Sequence, residues 1–380
     1  MSSKKDKMSR RQLLYAGSGL AGAGVLGLVA PAAVLQSNKA RAAGADKRIK
    51  VGQIGTAHPH ARGKIETLRK LDEVFDVVGI VEPDADQRNA ALKEAAYQGL
   101  KWMTEEELLN TAGLKAVAVE TVENELVPTG MRCVRAGMHI HIDKPPGESL
   151  SAFRELLDTA GARNMTVQAG YMFRYNPAFQ FCFKAVREGW LGDIFEVHGV
   201  ISKKISASSR KSWLRYTGGT MFNLGSHLVD ALVIVLGKPD KVTAYVRQTR
   251  PEIDNLNDNQ LAVFEYPKAT ATIRSSVVEV EGGRRRQFVV CGDQGTVDIR
   301  PLERPQLRLA LQRDRGQYNK GYQDVELPKM PGRYDEQLID FARMVRGEKA
   351  PDYTAEHDLI AHEALLRASG LDLEPATCNK

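Results

Sequence analysis

Cysteine is scarce in this chain, and its spacing excludes one class of site. The 380 residues contain four cysteines, at positions 133, 182, 291 and 378. Structural zinc sites need thiols or imidazoles in closely spaced pairs, and these positions offer none. Three of the four lie in apolar stretches, so we expect buried thiols, although an oxidising compartment would permit a disulfide.

Net charge is also absent from most of the chain. The whole sequence carries +6 at pH 7, but residues 1–42 hold seven basic residues and one acidic residue. The remainder contains 46 basic and 46 acidic residues. The basic composition is therefore no argument for nucleic acid or an anionic membrane as a partner, and we predict neither.

Internal repeats and low-complexity segments are missing beyond residue 42, whereas the first residues have a distinct composition. Arg10-Arg11 precedes a stretch rich in small and apolar residues, 13–35, and Ala40-Arg41-Ala42 follows it. A twin arginine, an apolar segment and a small-residue cleavage site are typical of a twin-arginine export signal. We interpret residues 1–42 as this signal and predict a periplasmic or otherwise exported protein, with an uncleaved membrane anchor as the alternative.

After this segment the sequence alternates strand-like and helix-like stretches. Residues 49–54 are typical of a strand, Gly55–His60 of a tight loop and 61–71 of a helix, and a second strand ends at Glu82. In such a unit the start of the helix binds a pyrophosphate, and an acid after the second strand binds ribose hydroxyls. We therefore predict an α/β fold in which residues 43–166 form a doubly wound, parallel Rossmann domain that binds NAD, with NADP possible.

The glycine pattern of the loop is incomplete. Where Gly-x-Gly-x-x-Gly is expected, Gly55 is followed by Ala57 and His60. Ala57 is small enough for close backbone approach to a cofactor. His58 and His60 could approach the cofactor or form hydrogen bonds at the helix start, and two histidines are too few for a metal site, so we predict none.

A second motif, His139–Pro146, ends an apolar strand with an acid, a lysine and two prolines. Proline cannot continue the ladder, and open α/β sheets bind ligands at the carboxyl ends of their strands. Lys144 is therefore a candidate for proton transfer as well as for cofactor binding. The predicted cofactor-binding residues are Gly55, Thr56, Ala57, His58, His60, Glu82 and Lys144.

The sequence changes character in its second half. Short alternating segments separated by turns predict a large, open, mostly antiparallel sheet, and helices close the chain over residues 331–380. We predict that residues 167–380 form an α+β domain that binds substrate and joins copies of the chain into a homo-oligomer.

The segment Gly218–Asp230 combines a Gly-Gly approach with polar residues at helical spacing. Asn223, His227 and Asp230 recur at i, i+4 and i+7 and would share one face of a helix. A histidine satisfied by one hydrogen bond in a helix core is the alternative. The polar neighbours favour a site in which His227 and Lys144 move a proton beside Asn223.

Three motifs together resemble one known family. Asp143-Lys144-Pro145, Tyr171–Pro177 and Gly218–Asp230 are similar to motifs of the glucose–fructose oxidoreductase, inositol dehydrogenase and MocA family. The resemblance covers nearly the whole chain after the export signal. It implies a Rossmann domain followed by an open-sheet domain, NAD(P) as cofactor, and sugars or polyols as substrates. It also implies that Lys144 and His227 bind substrate and transfer protons.

Three positions depart from the family pattern. Asp143 stands where glutamate is usual, Asn223 where many dehydrogenases have aspartate, and Glu120 begins a segment that is usually Thr-Pro-Asn. An amide cannot strengthen the basicity of His227 as a carboxylate would. Candidate substrate-binding residues are Tyr171, Arg174, Tyr175, Trp213 and Asp230.

The sequence therefore predicts an exported NAD(P)-dependent oxidoreductase that acts on a sugar or sugar derivative. Because no free pool of NAD is expected outside the inner membrane, the cofactor should stay bound and be regenerated in place. Two alternatives stay open: a redox-neutral NAD-dependent glycosidase or lyase on the same fold, and a non-catalytic sugar-binding protein.

Overall fold

The computed structural model describes residues 48–373. The predicted export signal and Cys378 lie outside the described residues. Within 48–373, none of the helices has the length and apolar character needed to cross a membrane. Cys133 and Cys182 are buried free thiols and Cys291 is a half-buried one, in line with the expectation from the sequence.

The first sheet has five parallel strands: β1 (Ile49–Ile54), β2 (Phe75–Val81), β3 (Leu114–Val119), β4 (His139–Ile142) and β5 (Val167–Ala169). Their order is β2-β1-β3-β4-β5, with β1 hydrogen-bonded to both β2 and β3. The order reverses between β1 and β3, and ligands of such sheets bind at this switch point. The predicted doubly wound sheet is confirmed.

Five helices connect these strands: α1 (Ala61–Lys70), α2 (Ala85–Ala91), α3 (Glu105–Leu109), α4 (Glu123–Arg135) and α5 (Leu150–Ala162). Side-chain caps fix several of their starts. Thr104 and Glu107 form a capping box at α3, and the Ser149 hydroxyl accepts the Ala152 N–H at α5. At α2 the Asp84 carboxylate accepts the Gln87 N–H.

The position of β5 corrects one predicted boundary. Val167–Ala169 pairs in parallel with β4 and completes the first sheet. The first domain therefore extends beyond residue 169 rather than ending at 166. The strand is short, and its sequence alone does not indicate which sheet it joins.

The second sheet has eight strands: β6 (Ile194–Ser202), β7 (Lys241–Arg247), β8 (Asn259–Glu265), β9 (Thr270–Ser276), β10 (Gln287–Gly292), β11 (Gly295–Ile299), β12 (Leu307–Leu311) and β13 (Gly321–Val325). Their order is β13-β12-β11-β10-β6-β9-β8-β7. All neighbours are antiparallel except β6 and β9. The predicted large, mostly antiparallel sheet is confirmed, with β13 as a strand that the sequence pattern missed.

The second half also contains α6 (Pro177–Arg187), α7 (Ala207–Trp213), α8 (Ser226–Leu236), α9 (Asp335–Val345) and α10 (Ala355–Ala368). Alternate residues of the strands, such as Phe264, Ile273 and Phe288, are fully buried on the inner face of the sheet. Phe179 of α6 packs on Phe288, with ring centroids 5.3 Å apart. The turn before α8 lies at the carboxyl edge of the first sheet, where Lys144 Nζ donates to the Asn223 carbonyl.

Candidate active site

A cavity of about 540 Å³ lies between the loop after β1, the end of β4 and the start of α8. Seven of the residues predicted from the sequence line it: Ala57, His58, His60, Lys144, Trp213, Asn223 and His227. They come from four separate parts of the chain. A second cavity of about 740 Å³ adjoins through Met172, Glu303 and Arg333, and its lining includes prolines and apolar side chains.

Lys144 lies at the wall of the first cavity and is buried. Its Nζ donates to the backbone carbonyl of Asn223 at 2.9 Å. Burial lowers the pKa of Lys144 to about 8, with neighbouring Asp143 and Glu123 acting in the opposite direction. The ammonium group is therefore held in position by a carbonyl rather than by an ion pair.

His227 follows a π-helical turn, Met221–Gly225, that leads into α8. Its ring packs against Phe173, with centroids 4.9 Å apart, and its Nδ1 has no hydrogen-bond partner among the described residues. Burial, with Lys144 and His60 nearby, holds the pKa of His227 well below its usual value. His227 is therefore neutral, and its Nδ1 is a buried atom without a hydrogen-bond partner among the described residues.

Asp230 does not share the cavity with Asn223 and His227. Asp230 lies three residues after His227 in the regular helix α8, and its carboxylate accepts hydrogen bonds from Arg174 at 2.6 and 3.0 Å. Arg174 Nη2 also donates to Asp358, and the rings of Tyr171 and Tyr353 cover the guanidinium.

The structure therefore corrects most of the predicted substrate contacts. Arg174 and Asp230 pair with each other and are buried. The Tyr175 hydroxyl donates to Asp340 and accepts from Gln168. Tyr171 is buried beside His227, with ring centroids 6.3 Å apart. Trp213 is the one of the five that lines the cavity.

The conformation of the loop after β1 depends on a glycine at its start and on hydrogen bonds to Glu82. Gly55 has φ +94°, and a Cβ atom there would lie 2.4 Å from the backbone nitrogen of Thr121, so this turn requires glycine. The backbone N–H and the hydroxyl of Thr56 donate to Glu82 Oε2 at 2.7 and 2.8 Å. Glu82 thus joins the ends of β1 and β2.

Beneath this loop lies a buried group of six titratable residues, which we call the loop cluster: His58, His60, Lys64, Glu120, His141 and Asp143. His60 Nδ1 lies 3.0 Å from Asp143 Oδ1, and Lys64 Nζ lies 3.1 Å from Asp143 Oδ2. Lys64 also contacts His141 Nε2. Neither carboxylate oxygen of Glu120 has a hydrogen-bond partner.

Burial dominates the electrostatics of the loop cluster. It lowers the pKa of His58 and of His60 to about 4 and that of His141 to about 3. Burial and the nearby Asp143 raise the pKa of Glu120 well above its usual value. Burial would raise the pKa of Asp143 too, but His58, Lys64 and His60 bring it well below the usual range.

Sequence reasoning missed Lys64, His141 and the contact between Asp143 and the two loop histidines. Lys64 lies one helical turn after His60, and His141 alternates with Asp143 along β4, so the spacings were visible. The pairing itself joins residues 83 positions apart and could not be read from local pattern.

The rest of the cavity wall is strongly cationic. Lys203, Arg215, Arg286 and Arg333 line it, whereas Glu303 is the acidic residue of the lining. Within residues 48–373, Lys203 and Arg333 form no ion pair with a carboxylate. Lys203 Nζ lies 4.8 Å from the ring centroid of Trp213, and burial together with Arg286 and Arg333 lowers the pKa of Lys203.

Two family matches identify this arrangement. Residues 49–171 match the oxidoreductase family with an NAD-binding Rossmann fold, and residues 179–298 match the GFO/IDH/MocA C-terminal domain. The chain belongs to the Gfo/Idh/MocA family of oxidoreductases. The first match covers β1 to β5, and the second begins within α6 and runs almost to the end of β11.

Curated relatives of this Gfo/Idh/MocA member are about a quarter identical to it over half of the chain. The oxidoreductase YhhX of Escherichia coli is 27% identical over 192 residues, which are 50% of this chain and 54% of YhhX. The NADP-dependent scyllo-inositol 2-dehydrogenase IolW of Bacillus subtilis is 26% identical over 51% of this chain and 56% of IolW. The chain therefore spans little more than half the length of these two relatives.

Solved structures share the fold. The aldose-aldose oxidoreductase of Caulobacter crescentus superposes with a TM-score of 0.72 at 18% identity, over 85% of this chain and 98% of that one. The UDP-N-acetylglucosamine 3-dehydrogenase GnnA of Acidithiobacillus ferrooxidans gives 0.70 at 17% identity, over 85% and 97%.

The residues of this chain fit the NAD of the family. Gly55 provides the tight turn for which a Cβ has no space, Ala57 keeps the loop small at the cavity, and Glu82 lies at the end of β2 where ribose hydroxyls bind. Glu120 and Glu123, which could oppose a nicotinamide, are buried. The Tyr216 hydroxyl donates to Glu123 at 2.7 Å, and Arg215 lies 3.4 Å from it.

Proposed function

We propose that the protein is an exported NAD-dependent dehydrogenase of a sugar or sugar derivative. The observation that carries the proposal is the cavity of about 540 Å³, which joins the nucleotide loop at Ala57 to Lys144 and His227. Bound NAD would accept or return a hydride. The protein side chains would bind the sugar, orient it and exchange the hydroxyl proton.

Relatives and neighbours support a sugar or polyol as the substrate class. They include an inositol dehydrogenase, an aldose-aldose oxidoreductase and a UDP-N-acetylglucosamine 3-dehydrogenase. Trp213 adds an aromatic wall to the cavity, and such rings stack on the apolar faces of sugars. Carbohydrate specificity is our proposal for this chain.

Lys144 is the residue we assign to proton transfer. Its Nζ is held by the Asn223 carbonyl at 2.9 Å, which leaves its other two N–H groups for the substrate hydroxyl. His227 lines the same cavity and would supply a ring nitrogen as a hydrogen-bonding group for the sugar. The backbone carbonyl of Asn223 positions the lysine. Because the side chain of Asn223 is an amide, it does not supply the carboxylate that would make His227 a strong base.

The charge of the cavity favours an acidic sugar. Lys203 and Arg333 face the cavity without carboxylate partners, and Arg286 is a third cation on the same wall. Burial, together with Arg286 and Arg333, lowers the pKa of Lys203, and an anion bound beside it would favour its charged form. We therefore propose a substrate with a carboxylate or similar group, such as a uronate.

The experiment combines cofactor analysis with a substrate panel. Mass spectrometry of small molecules released from denatured protein should yield NAD, and uronates should then turn over with a higher kcat/KM than the matching neutral aldoses. Oxidised sugar as product supports the dehydrogenase, whereas cleaved sugar supports the redox-neutral alternative. Protein without dinucleotide and without turnover would support a sugar-binding protein.

Export and cofactor retention form one further part of the proposal. A protein exported in the folded state would acquire NAD in the cytoplasm and need to keep it, with regeneration by a second substrate. Protein isolated from the periplasm and dialysed should therefore retain NAD and activity without added cofactor. Empty protein that needs a free pool of NAD would contradict this part alone.

We also propose that the chain forms a homo-oligomer through the outer face of the eight-stranded sheet. Tyr245 on β7 and Tyr322 on β13 are 48% and 66% exposed, which is unusual for large aromatic side chains. Light scattering of the purified protein tests this, and Tyr245→Glu should shift an oligomer toward monomer.

A further inference from the structure

The loop cluster contains more metal-ligating groups than the two histidines visible in the loop sequence. Asp143 follows β4 and lies near both His58 and His60, whereas Glu120 follows β3 and lies near His58. The ligand atoms of His58, His60 and Asp143 all lie within 4.8 Å of one another, and so do those of Glu120, His141 and Asp143. Asp143 belongs to both groups.

Glu120 is a member of the cluster whose carboxyl oxygens have no hydrogen-bond partner among the described residues. It is 0% exposed, and neither of its oxygens has a hydrogen-bond partner. The ammonium of Lys64 lies 3.9 Å from Oε1, which is beyond hydrogen-bond distance, and lies closer to Asp143. A buried carboxylate without a partner is unfavourable, so the position beside Glu120 suits a second cation.

The His58 ring is oriented as in a metal site. Its Nε2 lies 3.1 Å from the backbone carbonyl of Lys144, which can only accept, so Nε2 carries the proton, and the lone pair of Nδ1 would bind an ion in place of the His60 N–H that it accepts here. Metal-binding histidines are commonly oriented by such a carbonyl. Nδ1 lies 3.6 Å from Glu120 Oε2 and 3.6 Å from Asp143 Oδ2, and it accepts the His60 backbone N–H at 3.2 Å.

The separations match those around a four-coordinate ion. Bonds of about 2.1 Å in tetrahedral geometry put neighbouring ligand atoms about 3.4 Å apart. The distances from His58 Nδ1 to the two carboxylates are 3.6 Å, and His60 Nδ1 lies 3.2 Å from Asp143 Oδ2. Imidazole together with carboxylate favours a transition-metal ion over Mg²⁺ or Ca²⁺.

We propose that His58, His60, Asp143 and Glu120 bind one divalent transition-metal cation, for which Zn²⁺ is the reference probe. His60 lines the cavity, so the ion would reach the site from there. Lys64 Nζ lies 3.1 Å from Asp143 Oδ2 and would remain a second cation bound to that carboxylate. The proposal replaces the sequence-based prediction of no metal, and it does not depend on the proposed reaction.

The test measures metal content and affinity in the full chain without a polyhistidine tag. After growth with zinc and dialysis against metal-free buffer, we expect one zinc per chain by elemental mass spectrometry. Glu120→Gln and His60→Asn should each weaken zinc binding at least about tenfold in a chelator competition. The control is His198→Asn, a part-buried histidine on β6 that bonds to Thr272, and its zinc affinity should not change.

Cobalt gives a second readout that needs no variant. Titration of the metal-free protein with Co²⁺ should produce visible absorption bands of a tetrahedral site at one equivalent, and Zn²⁺ should abolish them. Folded protein that contains no metal and takes up neither ion would overturn the proposal. Zinc bound with equal affinity by the unmodified protein, Glu120→Gln and His60→Asn would overturn it as well.

Discussion

Two buried clusters of charge lie close to each other in this protein, and they differ in how completely they are paired. In the first, Arg174 lies between Asp230 and Asp358 and bonds to both. In the loop cluster, Glu120 is fully buried with both oxygens unpartnered. Residues of both clusters were predicted as site residues. Complete pairing indicates a role in stability, whereas unmatched groups beside a cavity indicate chemistry.

The strongest way to break this comparison is to remove the centre of the paired cluster. Arg174→Met retains the length of the side chain but leaves two carboxylates buried without a cation. We expect the free energy of unfolding to fall by about 3–5 kcal/mol, which is typical when one partner of a buried ion pair is lost. Urea denaturation at neutral pH measures this.

The control for this prediction is Arg215→Met at the cavity wall. Arg215 has a 37% exposed side chain and an ion pair with Glu123, so its loss should change stability by at most about 1 kcal/mol. Equal effects of the two variants would show that the Arg174 cluster is no more structural than the cavity wall.

The cavity side of the comparison depends on Lys144. Lys144→Ala should lower kcat by about 10²–10⁴-fold, because proton transfer at the sugar hydroxyl is lost. NAD should still co-purify, and the free energy of unfolding should change little, since Lys144 has no carboxylate partner. Steady-state kinetics with the substrate found in the panel, and the cofactor content, are the two measurements.

His227 provides the matched comparison for Lys144. His227→Ala should have a smaller effect on kcat than Lys144→Ala and should mainly raise KM, because His227 binds the sugar without a carboxylate behind it. Asn223→Asp should raise the rate only if His227 acts as the base. A larger loss of kcat in His227→Ala than in Lys144→Ala would reverse our assignment.

The fold could be predicted from the sequence wherever local pattern determined it. The alternation along β8 and β9 and the strand–loop–helix order from Ile49 to Lys70 were sufficient for both sheets. The short strand β5 was assigned to the wrong domain, because three residues carry too little pattern to show which sheet they join.

The site was predictable in its motifs but not in its pairings. Lys144, Asn223 and His227 meet at one cavity as expected. Asp230 does not, because its carboxylate is paired with the buried guanidinium of Arg174, a partner 56 residues earlier that the local pattern does not indicate. The contact between His60 and Asp143 depends on the parallel order of β1, β3 and β4, which places distant loops side by side.

A third buried group tests whether a missing hydrogen-bond partner alone indicates chemistry, because this group has none among the described residues but lies away from the cavity. His362 on α10 is 0% exposed, packs on Phe153, and has no hydrogen-bond partner at either ring nitrogen. Burial lowers the pKa of His362 to about 3. It should affect stability in acid and leave the reaction unchanged.

The sign of this effect follows from proton binding. Above pH 6.5 His362 is neutral in both the folded and the unfolded protein, so it adds no pH dependence to the stability. As the pH falls below 6.5, His362 becomes protonated in the unfolded chain, whereas in the folded protein it stays neutral down to about pH 3. The free energy of unfolding therefore falls over this range. The free energy of unfolding of His362→Leu, measured relative to that of the unmodified protein, should therefore be about 2 kcal/mol higher at pH 5 than at pH 8. The other buried histidines cancel because both proteins contain them, and a pH-independent difference would contradict the prediction.

The smallest expected effect concerns Glu82, which belongs to neither cluster and has two roles that variants can separate. It accepts hydrogen bonds from the N–H and hydroxyl of Thr56, and its charge would repel the 2′-phosphate of NADP. Glu82→Gln keeps an acceptor for Thr56 but removes the charge, so the preference for NAD should shrink by about tenfold while NAD affinity changes little. Glu82→Ala also releases the loop, so NAD and NADP should both bind more weakly.

Calorimetry with the cofactor-free protein measures the two affinities. Tighter binding of NADP than of NAD by the unmodified protein would show that Glu82 does not face the ribose, and that its contact with Thr56 is its whole function.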